Sequence, residues 1–77
     1  MEIRLTPELF TVYEVIKTFY IDNDALPTSK TLARLLKVPL DVSSGYIEQL
    51  KEKRVITTNS QKGYMWVRSR PRVVLKK

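Results

Sequence analysis

A chain of 77 residues makes one domain, and at this length only about 60% of the unfolded surface is buried on folding, so an efficient core or a partner is needed. With 43% hydrophobic and 29% charged residues the composition is that of a soluble domain, and no run approaches the ~18 apolar residues of a membrane span. Cysteine and histidine are absent, which excludes disulfides, thiol chemistry, the usual zinc sites and histidine acid–base catalysis, and points to the cytosol. Glu2 and Arg4 precede an amphipathic run, so the opening residues do not read as a signal peptide.

The net charge of +6 is unevenly placed. Residues 1–53 carry seven bases against eight acids, whereas residues 54–77 carry seven bases and no acid. A basic tail on a neutral body implies a polyanionic partner, the plain alternative being a solubilising tail.

Met1–Leu5 is too short to assign by itself. Thr6-Pro7-Glu8 is a helix start: threonine caps, proline needs no N–H in the first turn, and glutamate favours the positive end. The helix is expected from Pro7 to about Ile21, with Leu9, Phe10, Tyr13, Ile16, Phe19 and Tyr20 on a broad apolar face and Glu14 and Lys17 opposite. Asp22-Asn23-Asp24 ends it, and Ala25-Leu26-Pro27 is extended because a residue before proline avoids helical geometry.

Thr28 or Ser29 caps a second helix, Lys30–Leu36, whose buried side is Leu32, Ala33, Leu35 and Leu36. After the break at Lys37-Val38-Pro39 a third helix starts between Pro39 and Val42, with Pro39 its first residue or Asp41 its cap. Ser43, Tyr46, Ile47 and Leu50 share its inward face; Asp41, Ser44, Gly45, Glu48, Gln49 and Glu52 share the other. Gly45 costs this helix about 1 kcal/mol relative to alanine. The pair Thr28–Lys53 has the pattern of a helix-turn-helix.

Val55–Thr58 is β-branched and reads as a strand, Asn59–Gly63 as a turn, and Tyr64–Ser69 as the returning strand. Either Tyr64, Trp66 and Arg68 or Met65 and Val67 face the helices. Pro71 ends or edges that strand, and residues 70–77 are a final strand or a basic tail. The expected fold is mostly α with a C-terminal β-hairpin, an α+β class.

Leu26-Pro27-Thr28-Ser29, Leu32-Ala33, Leu36, Val38, Ile47, Leu50, Lys53 and Val55-Ile56 resemble the winged helix-turn-helix DNA-binding domain of the LexA repressor and of small bacterial and phage winged-helix regulators. The resemblance spans about Leu5 to Val67. It implies three helices plus a wing, a short edge strand near Ala25–Pro27, a second helix of the pair that contacts base edges, and a hairpin tip on phosphates or the minor groove. Lys37 and Arg54 stand where that family has glycine. A left-handed residue at either place costs about 1–2 kcal/mol, so rebuilt turns are one expectation. Ser43 stands where a buried valine or isoleucine is usual. Only the DNA-binding half of the family is represented, so its self-cleaving response is not carried over.

The candidate site is therefore a duplex-DNA surface. Ser43, Ser44 and Gln49 are the expected base readers, glutamine being suited to adenine. Thr28, Ser29, Lys30, Lys62, Arg68 and Arg70 are the expected phosphate contacts, the first three because a helix N-terminus suits an anion. Asp41, Glu48 and Glu52 oppose DNA unless a carboxylate accepts from cytosine or, for Asp41, caps the helix. A small transcriptional regulator, a dimeric repressor that associates with the nucleoid when bound, is the expectation that fits these features. A winged-helix protein–protein adaptor, the DNA-binding domain of a replication protein, and single-strand binding by stacking on Tyr64 and Trp66 are the alternatives. Neither an enzyme, a cofactor nor a metal is expected, since scattered carboxylates complete no site.

Overall fold

The computed structural model describes residues 2–59, 63–67 and 71–75. In chain order these form β1 (Glu2–Leu5), α1 (Pro7–Asn23), α2 (Ser29–Leu36), α3 (Leu40–Glu52), β2 (Ile56–Asn59), β3 (Gly63–Trp66) and β4 (Arg72–Leu75). Three helices and two small two-stranded sheets give an α+β architecture.

The helix starts follow their local chemistry. The Thr6 hydroxyl accepts from the Leu9 N–H at 3.4 Å, and Pro7 lies in the first turn of α1. The Thr28 hydroxyl accepts from the Thr31 N–H at 3.2 Å, so Thr28 rather than Ser29 is the cap of α2. Pro39 occupies the cap position of α3 with extended backbone and no side-chain hydrogen bond. Asp41 is thus not the cap. It lies in the first turn, where its charge still meets the positive end of the helix.

All three helices end on a left-handed residue that is not glycine: Asp24, Lys37 and Arg54, with φ of 55°, 58° and 62°. After α2, the Lys37 N–H donates to Arg34 O at 3.3 Å and the Val38 N–H to Ala33 O at 3.0 Å. After α3, the Arg54 N–H donates to Lys51 O and the Val55 N–H to Leu50 O, both at 3.0 Å. Both are Schellman closures, in which two crossed hydrogen bonds satisfy carbonyls that the helix leaves open. Neither turn has been rebuilt to avoid the left-handed residue; Lys37 and Arg54 carry the strain. At the second closure the hydrophobic partners are Leu50 and Val55, both buried.

The core joins Ile3 and Leu5 of β1, Leu9, Val12 and Ile16 of α1, Leu32 of α2, Ile47 and Leu50 of α3, and Leu26, Val55 and Ile56. Val12, which the expected apolar face omitted, is buried, whereas Phe10, Tyr13 and Tyr20 pack around the periphery. Leu35, expected inside, is 46% exposed, because α2 presents only Leu32 fully to the core. Ala25–Pro27 forms no strand; Leu26 and Pro27 are buried there as an anchor between α1 and α2.

β1 and β4 pair in parallel, from Glu2 opposite Arg72 to Leu5 opposite Leu75. Alternation sends Ile3 and Leu5 inward and Glu2 and Arg4 outward, where they form an exposed ion pair at 3.2 Å. β2 and β3 are antiparallel, from Ile56 opposite Trp66 to Asn59 opposite Gly63. Tyr64 and Trp66 are the half-buried set on β3 and Met65 is 43% exposed. Trp66 makes edge contacts with Tyr13 and Tyr20, at centroid distances of 5.8 and 5.7 Å. Among the described residues no helix is long and apolar enough to cross a membrane.

Candidate functional site

The N-terminus of α2, one edge of α3 and the β2–β3 hairpin enclose a broad, shallow concavity of about 700 Å³. Thr28, Ser29 and Lys30 form one wall, Leu40, Ser44 and Lys51 the second, and Thr58, Gly63 and Tyr64 the third. Among the described residues its polar groups are hydroxyls and two lysines, and no acidic residue lines it.

Contacts between distant segments hold this shape. The Ser29 and Tyr64 hydroxyls lie 3.4 Å apart, tying β3 to the start of α2. Gly63 takes φ of 91° beside Thr28, a conformation that an L side chain rarely adopts. The Thr28 hydroxyl also donates to the Thr31 hydroxyl at 3.1 Å, so its side chain is already engaged in capping. The Ser29 hydroxyl is engaged with Tyr64, and Lys30 is exposed.

Of the expected base readers, Ser43 is corrected. Its side chain is fully buried, and its hydroxyl donates to Ser29 O at 2.7 Å, pinning α3 to the first turn of α2. A hydroxyl spent inside the fold cannot reach a base edge. Ser43 thus supplies a buried hydrogen bond between the two helices. Ser44 lines the concavity. Gln49 is exposed but is not part of that wall. Five positions along a helix rotate a side chain by about 140°, so Ser44 and Gln49 flank the outer face of α3 rather than share a wall.

Lys30 is exposed at the site, while Lys62, Arg68 and Arg70 lie outside the described residues. Lys51 is the addition that sequence reasoning passed over. Its signal was available, since seven residues separate it from Ser44 and place both on the same helix edge. Lys51 also holds the Glu48 carboxylate at 3.3 Å, which offsets one of the three acids on the outer face.

A separate contact braces α3 against α1. The Tyr46 hydroxyl donates to the Glu8 carboxylate, and this hydrogen bond raises the Tyr46 pKa above its ordinary value. Gly45 has no atom of another segment within 4 Å of where a side chain would begin, so the fold itself does not require glycine there. Comparison with protein-family models, curated proteins and solved structures finds no match to this chain.

Proposed function

We propose that this protein is a winged helix-turn-helix module that binds double-stranded DNA and serves as a small transcriptional regulator. The concavity, whose described lining residues include no acid, carries the reading: a helix N-terminus, a lysine-bearing edge of α3 and a hairpin converge on one surface, where hydroxyls and ammonium groups suit phosphate oxygens. In this reading α3 enters the major groove, with Ser44 and Gln49 on either side of Gly45, and β2–β3 is the wing. The seven bases after Lys53, with no acid among them, supply long-range attraction, which is independent of base sequence. One module buries little surface, so a dimer on a two-fold site is the expected form.

The test is duplex binding followed by fluorescence anisotropy across a salt series. Contacts from Lys30, Lys51, Lys62, Arg68 and Arg70 together imply a slope of log K against log salt of about −4.5. The double variant Lys30→Ala, Lys51→Ala is expected to weaken binding to all duplexes and to reduce the slope by about 2. Absence of duplex binding at low salt overturns the reading, and selection from a random duplex pool tells sequence-specific from general binding.

A protein–protein adaptor is the second reading. It is favoured by the acids of the outer α3 face together with Leu40 and Met65, which are 53% and 43% exposed. Affinity for a partner that hardly responds to salt and survives the double lysine variant would support it over DNA.

A further inference from the structure

A second concavity lies away from the proposed DNA surface, where α1 meets the seam between the two sheets. It encloses about 150 Å³, the size of a cavity that holds one benzene ring. Tyr13 and Trp66 form its aromatic side and Val55, Val67, Pro71 and Val73 its aliphatic side. Among the described residues, Lys17 of α1 contributes the one charge to the lining. We propose that this pocket is a binding site for a small aromatic carboxylate.

Three features select that class. The volume admits a single six-membered ring and little more, so a carboxylate must project through the half-open mouth. The indole of Trp66 is already held edge-on by Tyr13 and Tyr20, with interplanar angles of 69° and 79°. A wall of fixed rings favours another planar ring in offset or edge geometry over a flexible chain of equal area. The ammonium group that Lys17 brings to an apolar pocket favours an anion over a neutral or cationic ligand, since it offsets the charge that desolvation penalises. The site does not depend on the DNA reading. Trp66 and Tyr64 do occupy the same face of β3, two residues apart, so an occupant of this pocket touches the strand that also forms the wing.

Trp66 is the only tryptophan and therefore reports directly on the pocket. Benzoate, benzyl alcohol and acetate are titrated against the full chain while Trp66 fluorescence and the methyl NMR shifts of Val55, Val67 and Val73 are followed. Saturable binding of benzoate in the millimolar range is expected, with benzyl alcohol at least fivefold weaker and acetate inert. Lys17→Met should bring benzoate down to the level of benzyl alcohol. Val73→Phe should abolish both by filling the pocket, with Val67→Phe as the second plug if the first variant fails to give a cooperative melt. Straight-line quenching without saturation, or benzoate binding unchanged in a folded plugged variant, overturns the site. Benzoate affinity unchanged in Lys17→Met overturns the carboxylate class.

Discussion

Lys37 and Arg54 show how much local strain a small core can carry. Each sits at φ near 60°, where a side chain costs about 1–2 kcal/mol relative to the right-handed region. Glycine removes that strain but adds chain entropy in the unfolded state. Lys37→Gly and Arg54→Gly are each expected to stabilise the fold by about 0.5–1 kcal/mol, read as a higher urea midpoint with an unchanged slope. The Ser43 hydroxyl works in the opposite direction. Ser43→Ala removes a 2.7 Å hydrogen bond from a fully buried position and leaves Ser29 O without that donor. A loss of about 1 kcal/mol is expected, or roughly 4–8 °C in Tm for a domain of this size. The same substitution tests whether Ser43 is structural, because duplex affinity per folded molecule should not change.

At the level of elements, α3 is held on two sides and exposed on the third. Ile47 and Leu50 bury one face, Tyr46 ties it to α1 through Glu8, and the outer face carries Asp41, Gly45, Glu48 and Glu52. The raised Tyr46 pKa means that the neutral phenol is favoured in the folded state. Its contribution is therefore fully present below the unfolded tyrosine pKa of about 10 and is lost as pH rises through the higher folded value. Tyr46→Phe should flatten the fall in stability above about pH 10, measured by thermal melts across that range. Gly45 offers a sharper functional test on the same helix. Alanine there meets open space, so Gly45→Ala should raise stability by about 1 kcal/mol. Because the proposed duplex approaches this face, the same variant should bind DNA more weakly. A variant that is more stable and binds equally well would mean that the backbone at Gly45 does not meet DNA.

For the molecule as a whole, the pairing of β1 with β4 matters most, since it joins the two ends of the described chain. Ile3 and Leu5 are core residues on a four-residue strand whose ladder partner is β4. Truncation after Pro71 should therefore cost the fold several kcal/mol, in the range of removing a large buried side chain or more, and broaden or abolish the thermal transition. Charge acts at the same scale. Glu52→Gln removes a repulsive charge from the proposed DNA face and should strengthen duplex binding severalfold at low salt, with the gain fading as salt is raised.

Much of this architecture was legible in the chain because the signals were local. A threonine followed by proline started α1, threonine capped α2, three- and four-residue spacing of apolar side chains marked the helices, and β-branched residues marked β2. Each signal operates within about one helical turn or one strand, so a few residues suffice to encode it. What only the tertiary structure decided involved partners far apart in the chain. Residues 2–5 and 72–75 become strands because each supplies the other's hydrogen bonds, which neither segment encodes alone. The choice between the two faces of β3, the burial of Ser43 against Ser29, and the joining of Lys30, Lys51 and Tyr64 around one concavity all depend on how the hairpin packs on α2 and α3. The sequence determined which segments would be helical and where its positive charge lies. Packing determined which of its polar side chains were spent inside the fold and which were left exposed, because burial is a property of the assembled elements and not of any one of them.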